Sequence, residues 1–368
     1  MNDESASRPR QLASRHARTI QEGREMPPTK TAPDNDPVLA DFDLPLRATF
    51  HPAGFSVEVV TNSREVLEAA QESWGKFKKV FAYPPVRLRL GVLGDHSSKC
   101  PPPPVARSQG HLMSQIADAE NFTICDMRRG FAYGWVTPAT VRNRSYLRYH
   151  ILEGTVWILL DQWFLTTLHG ACLSRHGRGV LLCGDSGAGK STLAYACARS
   201  GWKFLSDDAS SLIRNRPGRI VTGNPHQMRF RAPALDLFPE LRNQRATPRL
   251  NGGMAVELDT ASMPGIETIS HCAIEHIVFL KRYPSHPPVF FPYSRQRAAA
   301  WFERTFCYGE AEIRNEQKAS LRELLMAEVV EFRYDDLSLA VPALDALVRG
   351  AAGPLDVSSA GAEVRASA

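Results

Sequence analysis

Hydrophobic and polar residues alternate in short stretches over the first third of the chain. "SVEVV" (56–60), "VRLRLGVLG" (86–94) and "NFTICDM" (121–127) carry the two-residue period of half-buried strands. The breaks "PP", "CPPPP" and "DAEN" separate them, and one helical pattern lies near 63–76. Together they predict a small α+β domain over 37–145. Between 146 and 168 the period lengthens: Leu152, Val156, Leu159 and Trp163 recur at helical spacing, marking the core face of a helix that runs into "LHGACL" with His169 and Gly170 at its end. Strand-like "ACLSR", a tight "HGRG" turn, strand "GVLLC", a glycine-rich loop, a helix over 190–200 stopped by Gly201, and strand "KFLSDD" follow. "RIVTG", "QMRFR", "AVELD", "HIVFL" and "PVFF" read as further strands. Helical "RQRAAAWFERTF" and "EQKASLRELLMAE", strand "VVEFRY" and a last helix at 341–349 complete a second domain over 146–350.

The two ends lack such periods. Residues 1–36 are rich in Arg, Ser, Pro and Asp, bury too little to offset the entropy of ordering, and are expected to be disordered. Asp3, Glu4, Glu22 and Glu25 argue against an arginine-rich presequence. Past Gly350, small and polar residues predict a flexible tail over 351–368. No charged-then-apolar leader and no run of about 18 apolar residues is found, so no membrane partner is expected. The 44 Lys and Arg against 39 Asp and Glu give +5 over 368 residues, too slight a balance to argue for nucleic acid. Seven cysteines, none spaced C-x-x-C, fit free thiols in a reducing, cytoplasmic setting better than a disulfide framework or zinc site.

The chemistry concentrates in "GDSGAGKSTLAYACARSGWKFLSDD" (184–208). Gly184, Asp185, Ser186, Gly187, Ala188, Gly189, Lys190 and Ser191 fit G-x-x-x-x-G-K-[ST] in full, after an apolar strand and before a helix. Glycines let successive backbone N–H groups converge on phosphate oxygens, and the helix contributes its positive end. Lys190 would reach the terminal phosphates and Ser191 would offer its hydroxyl to magnesium. The next helix is lined with small residues (Ala194, Ala196, Cys197, Ala198), and its strand brings Asp207 and Asp208 out beside the loop. Adjacent side chains on extended backbone point opposite ways, so the pair divides its roles: one carboxylate for a metal, the other as a base. Arg229 and Arg231, two apart on a strand, could clamp a phosphate or an acidic acceptor from one face. His271 and His276 show no metal-ligand spacing.

These residues resemble the catalytic domain of HPr kinase/phosphorylase, the bacterial enzyme that phosphorylates a serine of the carrier HPr. Three features carry the resemblance: "HG" fifteen residues before the first loop glycine, "GDSGAGKS" itself, and "DD" beginning sixteen residues after Ser191. It is strong over 169–210 and loose over 150–300. The implied fold is α/β, a P-loop kinase domain of the HPr kinase and phosphoenolpyruvate carboxykinase type, with a smaller N-terminal α+β domain. The implied activity is ATP- and Mg2+-dependent transfer of the terminal phosphate to a hydroxyl on a protein or small molecule, in a homo-oligomer. Residues 184–192 would bind ATP, Ser191 and Asp208 would hold Mg2+, Asp207 would be the base, and His169 would sit beside the transferred phosphate with Lys190. Thr192 stands where the family commonly has glutamate, "LNGGMAVEL" only echoes its second signature, and the first 150 residues are unlike its usual regulatory domain. An ATP-binding regulatory module with little transfer is the alternative reading.

Overall fold

The computed structural model describes residues 43–94, 99–231, 234, 236–242, 244, 246–248, 254–284, 286–304 and 309–350. The terminal segments 1–36 and 351–368 and the "LNGG" echo at 250–253 lie outside the described residues. Two sheets and a small third one, with helices packed on them, make a mixed α/β fold.

The first sheet has the order β1-β2-β3-β7-β6-β5-β4. Its strands are β1 (Leu46–Phe50), β2 (Val57–Thr61), β3 (Val86–Val92), β4 (Val105–Gln109), β5 (Leu112–Ile116), β6 (Phe122–Asp126) and β7 (Phe131–Val136). Helix α1 (Arg64–Trp74) crosses from β2 to its parallel neighbour β3, whereas β4 to β7 form an antiparallel meander. Alternation explains β3: Val86, Leu88 and Leu90 are fully buried with Arg87 and Arg89 between them. Spacing explains α1, whose Val66, Ala69, Ala70 and Trp74 cover that core. The sequence pattern missed β4, β5 and β7. β4 is exposed throughout, so it shows no apolar alternation, and β7 carries Gly134, whose Cβ would meet the neighbouring Phe122 carbonyl.

After α2 (Pro138–Arg142) and α3 (Arg144–Tyr146), a π-helical turn (Leu147–Glu153) leads into α4 (Gly154–Trp163). Leu152, Val156 and Leu159 are fully buried in the core of the first sheet, with Trp163 packed against it. Here one expectation is corrected. The helix stops at Trp163, and Leu165–His169 is a strand, β8, so His169 ends a strand and not a helix. Asp161 causes the stop: its carboxylate accepts from both the amide (3.1 Å) and the hydroxyl (2.9 Å) of Thr167. β-Branched Thr166 and Thr167 then favour the extended chain.

The second sheet runs β11-β9-β10-β17-β13-β12-β8, with β19 on β17 and β18 on β19. Its strands are β8, β9 (Ala171–Arg175), β10 (Arg178–Cys183), β11 (Lys203–Ser206), β12 (Ala209–Ile213), β13 (Ile220–Gly223), β17 (His271–Arg282), β18 (Val289–Pro292) and β19 (Glu328–Tyr334). The third sheet is β14 (Gln227–Phe230), β16 (Met254–Asp259) and β15 (Ala246–Pro248). The helices are α5 (Lys190–Arg199), α6 (Arg295–Glu303), α7 (Ala311–Leu324) and α8 (Leu337–Arg349). β10, β17 and β19 are parallel, and alternate residues sort to opposite faces. Val180, Leu182 and Val278 meet α5 and α8, while Leu181, Cys183 and Ile277 meet α6 and α7. Each fully buried aliphatic side chain there contributes about 1.5–3 kcal/mol, which fixes the strand ends from which the site is built.

Candidate functional site

The glycine loop links the end of β10 to the start of α5. Gly184, Gly187 and Gly189 have φ of 142°, 89° and 97°, a region L side chains avoid. Gly189 is also needed for room, because a Cβ there would stand 2.5 Å from the Tyr334 hydroxyl, which donates to Ala188 O at 3.2 Å and supports the loop from behind. A Cβ at Gly187 would meet nothing within 4 Å, so that flank of the loop is open. The first intrahelical bond is Leu193 N to Gly189 O, which leaves the amides of the opening turn directed at the loop mouth. Lys190 is only 7% exposed, and its ammonium donates to Gly184 O (2.8 Å) and Asp185 O (3.4 Å). Burial lowers its pKa, opposed by the Asp208 carboxylate.

Asp207 and Asp208 form the two-residue connection between β11 and β12. The connection is pinned by Ser206 Oγ to Ser210 Oγ (2.6 Å) and by the Ser210 hydroxyl donating to Gly170 O (2.9 Å). Ser191 Oγ donates to Asp207 O at 3.4 Å, so the loop serine and the aspartate pair adjoin. The carboxylates then part. Asp207 Oδ2 accepts from the Arg229 amide at 2.5 Å, and burial pushes its pKa up to about 6, with the Arg229 hydrogen bond pulling against it. Asp208 is exposed and lies 3.4 Å from His169 Nδ1, as the register Ala209↔His169 requires. Burial lowers the His169 pKa, with Asp208 opposing and Lys190 and Arg304 adding to the fall.

Several neighbours carried no sequence signal. Trp301 on α6 sits 6.2 Å from the His169 ring, and Arg304 reaches Asp185 at 3.6 Å. Arg229 and Arg231 separate, because β14 ends at Phe230 and alternation no longer governs the next residue. Arg231 donates to the Ser186 hydroxyl at 2.7 Å, while Arg229 pairs with Glu257 at 3.3 Å. Thr192, on the first turn of α5, is half-buried.

The residues present fit a polyphosphate and Mg2+. Positive-φ glycines with an open flank at Gly187, a buried cation and a helix start suit phosphate oxygens, and a serine hydroxyl with exposed Asp208 is a hard oxygen donor set. Among the described residues no cluster of three or more His, Cys, Asp or Glu could hold a metal by itself. Mg2+ needs none, since it is commonly held by one or two carboxylates together with substrate phosphates.

Residues 164–231 match the family model described as "HPr Serine kinase C-terminal domain". That segment is HPr-kinase-like. HPr kinase/phosphorylase of Bordetella pertussis is 43% identical over 63 residues, 17% of this chain and 20% of that protein. The putative HPr kinase/phosphorylase of Fusobacterium nucleatum is 39% identical over 64 residues, 17% of this chain and 10% of that one. The chain thus spans about a fifth or less of the length of these curated relatives. The solved HPr(Ser) kinase/phosphatase of Coxiella burnetii aligns with 50% of this chain and 94% of its own, at 16% identity and a TM-score of 0.28, too low to argue topology from. The HPr-kinase-like segment contains His169, the whole glycine loop, both aspartates and both arginines. No helix among the described residues is long and apolar enough to cross a membrane.

Proposed function

We propose that the HPr-kinase-like segment is the core of an ATP- and Mg2+-dependent kinase that transfers the terminal phosphate to a hydroxyl of a protein serine or a small serine-like molecule. On this reading residues 146–350 form a P-loop kinase domain of the HPr kinase type, beside a small α+β domain at 37–145. One observation carries it: the Lys190 loop, Ser191, Asp207, Asp208 and His169 adjoin where β8, β10 and β11 end and β12 begins, with Ser191 Oγ on Asp207 O and Asp208 on His169.

The loop amides and Lys190 hold the phosphate chain. Ser191 and Asp208 hold Mg2+, which when bound neutralises charge on the phosphate oxygens. Asp207 takes the proton of the acceptor hydroxyl as its oxygen attacks the terminal phosphorus and the bond to the leaving ADP oxygen breaks. A carboxylate with a pKa near 6 suits that task, because it is mostly ionised at neutral pH and more basic than an ordinary aspartate. His169, less ready to be protonated and with Nδ1 beside Asp208, lies next to the transferred group.

The test is incubation with γ-labelled ATP, Mg2+ and a cell extract. Labelled product is expected with the native protein and not with Lys190→Ala; the same blank from both rejects the kinase reading. The second reading, a nucleotide-binding regulatory module, is favoured by the contacts the loop makes within the protein, Lys190 to Gly184 O and Arg231 to the Ser186 hydroxyl. Tight ATP binding without turnover, with an ATP-dependent change in oligomer size, selects it.

A further inference from the structure

Two sulfurs meet beneath the candidate site. Cys172 on β9 and Cys272 at the start of β17 are 100 residues apart in sequence, yet their Sγ atoms lie 3.6 Å from each other. The two strands do not pair, since β10 runs between them. Gly179 on β10 leaves the room for the contact: a Cβ there would stand 2.8 Å from the Cys272 sulfur and 2.4 Å from Ala273 O. Cys172 is fully buried, whereas Cys272 is 8% exposed and belongs to the wall of a cavity of about 520 Å³. Exposed His176, Lys203 and His271 share that wall, so a dissolved reagent meets Cys272 before Cys172. Among the described residues no group of three His, Cys, Asp or Glu could hold a metal, so the pair is not part of such a cluster. Cys172 follows His169 by three residues and pairs across β9 and β11 with Ser206, the residue before Asp207. Between the two cysteines in sequence lie the glycine loop, both aspartates, Arg229 and Arg231. A bond between the sulfurs would therefore close a covalent ring around the whole site segment and tie the strand under the aspartate connection to the central strand β17.

We propose that Cys172 and Cys272 form a reversible disulfide, made by hydrogen peroxide and undone by a thiol, that staples β9 to β17 beneath the site. This goes beyond the kinase reading and does not depend on it. The Cys272 sulfur, as thiolate, attacks one peroxide oxygen. The O–O bond breaks, hydroxide leaves and combines with the proton the thiol released, and the sulfur, oxidised by two electrons, becomes a sulfenic acid. The Cys172 sulfur then attacks that sulfur: S–S forms, S–O breaks, and the Cys172 proton departs with the hydroxyl as a second water. Two thiols and one hydrogen peroxide give one disulfide and two waters. The contact with Cys272, and then burial, push the Cys172 thiol up, so it keeps its proton until this second step. From 3.6 Å the sulfurs have about 1.5 Å to close.

The experiment uses the full chain carrying Cys100→Ser, which removes an exposed thiol. The folded protein is treated with hydrogen peroxide, its remaining thiols are alkylated, and its peptides are mapped by mass with and without dithiothreitol. The expected product is a Cys172–Cys272 peptide pair two hydrogens lighter than its parts, with two free thiols lost per chain. The midpoint of thermal unfolding is expected to rise by about 5 °C or more, and dithiothreitol should reverse both changes. Cys272→Ser should leave Cys172 a thiol and abolish the rise. Cys172→Ser should stop Cys272 at the sulfenic acid, trapped with dimedone. A bond from either sulfur to another cysteine overturns the proposal, as does Cys272 carried on to sulfinic acid while Cys172 stays a thiol. So does survival of both thiols at peroxide concentrations that oxidise Cys100 in the native protein. A cross-linked chain with an unchanged or lower midpoint rejects the staple. If either serine variant does not fold, the peptide map and melting midpoint of the Cys100→Ser chain decide.

Discussion

Asp207 and Asp208 are consecutive, equally acidic in sequence, and end in two unlike regions. The Asp207 side is the more enclosed: the residue is half-buried, a peptide N–H caps its carboxyl, and Arg229, Glu257 and Tyr149 stand behind it. The Asp208 side is open, facing His169 with Trp301 and Arg304 at the rim. An extended two-residue connection sends neighbours in opposite directions, so one step along the chain changes a carboxylate from a raised proton affinity to an exposed charge free to meet a cation.

The most severe way to break this contrast is at the lysine and the closed aspartate. Lys190→Ala and Asp207→Asn are each expected to lower turnover about 1000-fold or more, read as labelled product per unit time. Asp207→Asn should also gain stability. The native carboxyl prefers its proton in the fold, at about 6 against 3.8, so folding loses stability as pH rises from 3.8 through 6, and the neutral asparagine escapes that loss. The gain, discounted for the solvent that still reaches the group, is about 1–2 kcal/mol above pH 6 and vanishes below pH 4, checked by denaturant melts at both pH values. Equal effects from Asp208→Asn would erase the distinction between the two sides. That variant is expected instead to raise the Mg2+ concentration for half-maximal turnover about 10- to 100-fold with little change in stability. Next in size, Gly189→Ala is expected to cost about 1–3 kcal/mol, from strain at positive φ and the clash with Tyr334, and Tyr334→Phe should recover part of it in the double variant. The smallest effect is the pH dependence of the native protein, whose kcat/KM should rise about tenfold per unit below pH 6 and level off above it.

The loop and the aspartate pair were legible because their chemistry is local. Glycines that need positive φ, a cation at the helix start and a strand returning after one helix are all set by neighbours in sequence. His169 was found as a residue but assigned to the wrong element, since its apolar run fitted a helix until the Asp161 bonds to Thr167 cut it short. The Tyr149–Glu257 contact joins residues 108 apart, and no spacing rule encodes it. Arg231 shows the reverse limit: strand alternation placed it beside Arg229, but the strand ends one residue too soon. The short helix bounds differ in the same way. The helical period of "EQKASLRELLMAE" catches only part of α7 (Ala311–Leu324), because Ile313 is the one buried residue of an otherwise exposed first turn and gives no period by itself.

Lys190 folds back onto the carbonyls of Gly184 and Asp185, and so the resting loop supplies its own temporary guest. On the proposed kinase reading, an arriving polyanion would have to coax the ammonium away from two backbone oxygens before gaining that charge, and on departure the same oxygens would reclaim it. Such an exchange tempers grip in both directions, which suits a site meant to hand its contents on and not to store them.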